Sequence, residues 1–173
     1  MPKEHKSIAI ERLNAASCAG LASAFGGGDI GARLGRHLQQ QADGARVVLV
    51  ALHGGQAVGY GCLVWRSPYP PFAATRIPEI QDLNVVAEVR RRGVGSALLD
   101  ELEDLALARC DTVGIGVGLY ADYGPAQRLY VRRGYVPDGC GVRYGDRTPA
   151  PGEAVRLDDD LVLYLTKRAG RGT

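Results

Sequence analysis

Long apolar runs are missing from this chain. No stretch approaches the eighteen apolar residues of a membrane span, and the opening "MPKEHKSIAIERL" lacks the apolar run of a signal peptide. Cysteine is thinly spread as well. Cys18, Cys62, Cys110 and Cys140 form no C-x-x-C pair, which argues against a zinc site or a disulfide framework, suits a reducing cytoplasm, and leaves all four as small buried hydrophobes. The three histidines, His5, His37 and His53, do not cluster in the sequence and are expected on the surface or in loops. No charge of one sign dominates: the formal net charge is +2, too little to draw in nucleic acid or a membrane by bulk attraction. Any anion binding must therefore be local. What is present is ordinary globular composition, 46% hydrophobic and 23% charged, in 173 residues, enough for one domain with a real core. We expect a single domain over residues 1–173, with residues 169–173 as a frayed tail.

The patterning is of α/β type. "SIAIERL" (Ser7–Leu13) alternates as a strand does. Ala16–Gln41 is rich in Ala and Leu and broken by Gly26–Gly28, which predicts two short helices, the second near Ile30–Gln41 with Asp29 as its N-cap. "RVVLVALHGGQAVGYGCLVWR" reads as two strands joined at "HGGQ", followed by a proline-rich loop over Ser67–Pro78 and a strand over Glu79–Val86. Between Arg92 and Arg109 the stripe Val94, Ala97, Leu98, Leu102, Leu105 predicts a helix, with Asp100, Glu101, Glu103 and Asp104 on its solvated face. A strand "TVGIGVGL", a short helix "GPAQRLYVRR" stopped by Gly134, a strand opening "GYVPDGCGV" and a last strand "LVLYLTK" complete the chain. The strands flanking the Arg92–Arg109 helix form a β–α–β unit and should run parallel.

One stretch is locally expensive. "VRRRGVGSALL" (Val89–Leu99) opens a helix with three like charges and two glycines, each glycine costing about 1 kcal/mol against alanine in a helix interior. At a strand-to-helix junction those costs have a use. Missing side chains let a ligand approach the backbone, the first helical N–H groups have no internal partner, and the helix dipole adds positive potential. Arg90, Arg91 and Arg92 can grip phosphate oxygens in forked pairs. A basic run is more often a solvated face, but the glycines have no structural reason to sit there.

Other phosphate motifs fit less well. The string G-x-x-x-x-G-K-[ST] is absent, and a dinucleotide fingerprint starting at Gly93-x-Gly95 would meet Leu98 at its third small position. "GVGLYA" (Gly116–Ala121) matches that fingerprint formally, with Asp138 about twenty residues on, yet too little chain follows to complete such a sheet. The pattern [QR]-x-x-G-x-[GA], here Arg90-Arg91-Arg92-Gly93-Val94-Gly95, resembles the acyl-CoA pyrophosphate loop of the GNAT superfamily of N-acetyltransferases. "AQRLYVRRGYVPDG" is similar to that family's second hallmark, a helix with A-x-x-L-Y followed by a Gly-aromatic strand start. The order of strands and helices over nearly the whole chain is also the family's.

The resemblance implies a GNAT-like fold: a mixed sheet of about six to seven strands splayed around an acyl-CoA cleft, flanked by about four helices. It implies acetyl-CoA as co-substrate, no metal, and transfer of an acetyl group to a primary amine of a small molecule. The cofactor would be held by Leu83, Asn84, Val85, Val86, Arg90, Arg91, Arg92, Gly93, Val94, Gly95, Ser96, Tyr123, Ala126 and Tyr130. Around Val85 and Val86 a bulge would expose an N–H able to polarise the thioester carbonyl. Tyr130 matches the tyrosine that protonates the departing thiolate. Where the family often has Asn, this chain has Tyr123, so Asp122 or Tyr123 would substitute.

The central strand supports a cleft independently. A strand buried on both faces should be almost all Val, Ile and Leu, whereas "EIQDLNVV" carries Glu79, Gln81, Asp82 and Asn84. Alternation would place Glu79, Gln81, Leu83 and Val85 on one face and Ile80, Asp82, Asn84 and Val86 on the other. Glu79 or Asp82, directly or through water, would serve as the base; otherwise Glu79 caps a strand end and Asp82 pairs with an arginine. Trp65, Tyr60, Tyr69 and Phe72 would line the acceptor end or pack the core. The alternatives are a protein N-terminal or lysine acetyltransferase and a non-catalytic CoA-binding sensor. Neither nucleic acid nor a membrane is expected as a partner, and a homodimer is compatible with the sequence. The acceptor's identity is not legible in it.

Overall fold

A computed structural model of the chain describes residues 7–170; His5 and the end of the expected tail, residues 171–173, lie outside the described residues. Seven strands and five α-helices follow one another in α/β order among the described residues. They are β1 (Ile8–Arg12), α1 (Ala15–Ala24), α2 (Asp29–Ala42), β2 (Arg46–His53), β3 (Gln56–Val64), α3 (Pro70–Thr75), β4 (Glu79–Val85), α4 (Val94–Leu107), β5 (Thr112–Gly118), α5 (Gly124–Arg132), β6 (Val136–Tyr144) and β7 (Leu161–Arg168). None of the helices is long and apolar enough to cross a membrane. Ala169, within the expected tail, donates its amide to the Asp111 carbonyl at 2.9 Å.

Local chemistry accounts for most boundaries. Asn14 caps α1 reciprocally with Ser17, which satisfies two otherwise orphaned amides. Gly54 and Gly55 take φ of 60° and 79°, the left-handed pair that a two-residue hairpin turn demands. Asp29 is the first residue of α2 rather than its cap, a place where its charge still favours the helix N-terminus. The proline-rich loop holds a helix that the sequence reading missed. Two prolines at the start of α3 preset the first helical turn, and Ala73 N–H bonds back to Tyr69.

The chain packs as two compact units. One takes the chain up to Trp65 together with Ile80–Leu105; the other takes Arg66–Glu79 together with the chain from Ala106 onward. In the first, the strand order is β1-β2-β3-β4, with β1–β2 and β2–β3 antiparallel. Leu13, Leu21, Leu34, Val48, Val50, Tyr60 and Cys62 form its buried cluster, so β2 and β3 share one core with α1 and α2. In the second, the order is β5-β7-β6, antiparallel throughout. Gly114 of β5 is required there, because a Cβ would collide with the Phe72 ring.

Two expectations about polarity fail. Glu103 is buried, not solvated, because Leu99, Glu103 and Ala106 widen the covered face of α4 beyond the stripe read from the sequence. Cys140 is exposed and only Cys62 is fully buried.

Candidate functional site

After β4 the chain turns away at once. Val86 N–H donates to the Val58 carbonyl of β3 at 2.9 Å, and Ala87–Val89 form a single 3-10 turn. Arg90 then reaches back, its Nε donating to the Val85 carbonyl at 3.0 Å. One of the three arginines therefore shapes the turn. Arg91 and Gly93 follow with φ of 61° and 86°. That left-handed conformation is costly for arginine and free for glycine. Gly93 thus precedes the helix instead of weakening its interior. Ala97 N–H closes the first helical ring on the Gly93 carbonyl at 2.9 Å, so the amides of Val94, Gly95 and Ser96 have no partner within α4. Buried Val94 pins the helix start while Arg90, Arg91 and Arg92 stay exposed. The product is a cationic turn against a helix N-terminus, chemically a receiver for a phosphorylated anion.

The same geometry bears on the bulge expected around Val85 and Val86. The amide of Val86 is engaged with Val58, and its carbonyl accepts from Val89 N–H at 3.2 Å. Pairing from β3 runs one residue past the end of β4, so no free amide opens at Val86. The backbone irregularity lies earlier: Asp82 has a φ of 50° in mid-strand. Gln81, Asp82, Leu83, Asn84 and Val85 are all half-buried, where simple alternation required two distinct faces.

Asp82 is where three elements of the first unit meet. His37 of α2 places Nε2 2.9 Å from Asp82 Oδ2, and Arg46 of β2 places a guanidinium nitrogen 3.0 Å from His37 Nδ1. Arginine can only donate, so Nδ1 accepts and Nε2–H donates to Asp82. The His37 hydrogen bond holds the Asp82 carboxyl below its usual range despite burial, with help from the charges of Arg33 and Arg46. Beneath them, burial and the Asp82 charge push the Tyr60 phenol and the Cys62 thiol up to about 12. His37 is thus a buried core residue, against the surface or loop expected of it, and Asp82 pairs with histidine rather than arginine. The missed signal was its place in a stripe: Ile30, Leu34, His37, Leu38 and Gln41 recur at helical spacing.

In the second unit, Glu79 is only 4% exposed and accepts from Ser67 Oγ at 2.5 Å. Ser67 Oγ in turn accepts from Tyr69 N–H, and the Tyr69 hydroxyl donates to Asp138 at 2.7 Å. The Tyr69 ring stacks on Tyr164 at 3.7 Å and meets Phe72 edge-on, so Tyr69 and Phe72 are packing residues there. Burial and the Glu79 charge push the Tyr164 phenol up to about 12. Tyr130 of α5 is buried, and burial, then Tyr123, pushes its phenol up to about 12. Tyr123 donates to Asp159 Oδ1 at 2.9 Å beside Tyr120, which donates to the same oxygen at 2.5 Å. Asp122 is exposed and Ala126 half-buried.

An α/β fold with a positively charged, glycine-bearing turn at a helix mouth defines a class of proteins that take phosphorylated ligands. Comparison then names the family: the acetyltransferase (GNAT) family matches residues 22–135, and the chain belongs to it. No curated protein matches the sequence. Among solved structures, YncA from Salmonella typhimurium, determined with its cofactor acetyl-CoA, superposes with a TM-score of 0.68 at 18% identity, over 95% of this chain and 95% of that one. A ribosomal-protein-alanine N-acetyltransferase from Brucella melitensis gives 0.66 at 22% identity, over 93% and 99%. A chimera of the Vibrio cholerae spermidine N-acetyltransferase SpeG and hSSAT gives 0.67 at 13% identity, over 93% and 95%. At these identities the likeness is one of fold, an α/β fold with a seven-stranded mixed sheet as expected, carrying five helices where about four were expected.

Proposed function

We propose that the chain is one functional domain that transfers the acetyl group of acetyl-CoA to a primary amine of a small molecule by direct attack. The observation that carries this reading is the turn at Arg90–Ser96, where exposed guanidinium groups and unpartnered amides stand together. Arg91 and Arg92 would neutralise the diphosphate while the amides of Val94, Gly95 and Ser96 bind its oxygens. Gly93 leaves room for that approach, and Arg90 keeps the turn in shape. Leu83, Asn84, Val85, Val86, Tyr123, Ala126 and Tyr130 are assigned to the remainder of the cofactor by likeness to the family's motifs.

Of the two carboxylates, Asp82 suits the acceptor better than Glu79. Its side chain is 35% exposed, and Oδ1 takes no hydrogen bond among the described residues, whereas Glu79 is closed in by Ser67. Asp82 would draw in the ammonium form of the acceptor and take its proton through water, so that the neutral amine attacks the thioester. Tyr130 would supply a hydrogen bond, then its proton, to the sulfur as the C–S bond breaks. With the phenol near 12, that proton transfer is uphill towards a thiol of about 8.5, so it would accompany bond cleavage and not precede it.

Calorimetric titration with acetyl-CoA, followed by a thiol-release assay over an amine panel, tests the reading. The panel includes spermidine and an alanine-terminated peptide, after the named substrates of two structural relatives, and a lysine peptide. Turnover on small amines supports the proposal. Turnover confined to peptides favours a protein acetyltransferase, and cofactor binding without turnover favours a sensor.

A further inference from the structure

Asp82 is restrained from three sides. Its own backbone is left-handed, its carbonyl accepts from Asn84 Nδ2 at 3.0 Å, and Oδ2 accepts from His37. His37 is restrained in turn, 6% exposed and held at Nδ1 by Arg46. The polarity of this chain runs one way, from Arg46 to His37 to Asp82. With Arg46 donating at Nδ1, the ring's own N–H sits on Nε2 and faces Asp82.

The geometry points to His37 as a positioning residue: locked by Arg46 in its Nε2–H tautomer, it anchors Asp82 Oδ2 and leaves Oδ1 to receive the acceptor's ammonium group. This inference rests on the reading of Asp82 as the acceptor's carboxylate. It gives the strained backbone at Asp82 a purpose, since a left-handed residue in mid-strand turns one carboxylate out of the alternation and towards α2. It also accounts for a histidine on the apolar stripe of α2, where leucine would pack without needing two polar partners.

His37, Cys62 and Asp82 bring ligand atoms within 4.8 Å of one another, spacing a metal ion could use. The hydrogen-bond pattern favours the relay instead. Both imidazole nitrogens are engaged, Arg46 brings a positive charge against them, and the Cys62 thiol is pushed up to about 12. The groups acting on Asp82 are His37 and Arg33 from α2, Arg46 from β2, and Tyr60 and Cys62 from β3. With the tyrosine and the thiol both raised, Asp82 is the anion of this set.

The test uses the full chain without ligand. NMR follows the His37 ring nitrogens and the Asp82 carboxyl carbon against pH in the wild type and in His37→Gln, His37→Ala and Arg46→Met. At pH 7 the wild-type ring nitrogens should report the Nε2–H tautomer. In Arg46→Met, with the donor at Nδ1 gone, they should report a mixture of the two tautomers. The Asp82 midpoint should rise in His37→Ala and return part of the way in His37→Gln, whose amide can still donate. In the thiol-release assay, His37→Ala should lower kcat/KM for the amine by about tenfold or more while KM for acetyl-CoA is unchanged, and His37→Gln should recover much of the loss. An Asp82 midpoint that ignores His37→Ala overturns the inference. So does a wild-type His37 with its proton on Nδ1, or a His37→Gln enzyme as impaired as His37→Ala. Should the titrations behave as stated while no amine is acetylated, the lock stands and the functional reading falls.

Discussion

Asp82 carries most of what can be tested with a single side chain. Its carboxyl titrates below the ordinary 3.8 because His37 donates to it, so the pairing favours the ionised, folded form. A group whose folded value is depressed contributes stability that is fully present above its unfolded value and is lost as pH falls through the folded one. Urea unfolding of wild type and Asp82→Asn should therefore differ by a constant amount from pH 7 to about 5, and the difference should shrink below about 4. A difference that grows on acidification would contradict the pairing. Tyr130 offers the complementary case. Its hydroxyl makes no hydrogen bond among the described residues, so Tyr130→Phe should leave the urea midpoint nearly unchanged while kcat drops by about 10²-fold. The sequence points to Tyr130 through its motif. His37 escaped because its two partners lie 9 and 45 residues away along the chain.

Among the elements, helix starts are the sensitive places. The reciprocal cap between Asn14 and Ser17 secures α1, and Asn14→Ala should lower stability by about 1 kcal/mol in chemical denaturation. At the mouth of α4, Gly93 has a φ of 86°, where alanine costs about 1–2 kcal/mol. Gly93→Ala should show that loss in stability together with weaker acetyl-CoA binding in calorimetry; unchanged binding would remove the turn from the cofactor site. Strands and long helices were legible because their apolar spacing is a local property. The helix α3 was not, since its prolines look like loop punctuation until their place in a first helical turn is known. Nor could alternation in β4 be trusted, because one left-handed residue resets the faces that follow it.

Charge is the property that belongs to the whole molecule. With a net charge of +2, attraction to a polyanion must come from where the cations stand and not from their number. Acetyl-CoA affinity should therefore weaken with added salt in the wild type, as exposed charges are screened beyond roughly 10 Å at 0.1 M. The double variant Arg91→Glu, Arg92→Glu should bind at least tenfold more weakly and show a flatter salt dependence; Arg90 is left in place because it holds the Val85 carbonyl. Equal salt slopes in the two proteins would place the anion elsewhere. The family likeness belongs to the same scale: it runs by sequence over residues 22–135, and the structural relatives share the fold at 13–22% identity.

The amino-acid sequence alone determined the order of strands and helices, the glycine-and-arginine turn and the family, because periodicity, turn chemistry and short motifs are carried by neighbouring residues. Tertiary structure alone decided which polar groups meet. It buried His37 between Arg46 and Asp82, closed Glu79 behind Ser67, engaged the Val86 amide with Val58 and turned Glu103 inward. Hydrogen-bond partners and burial depend on segments brought together from afar, and no local pattern encodes that distance.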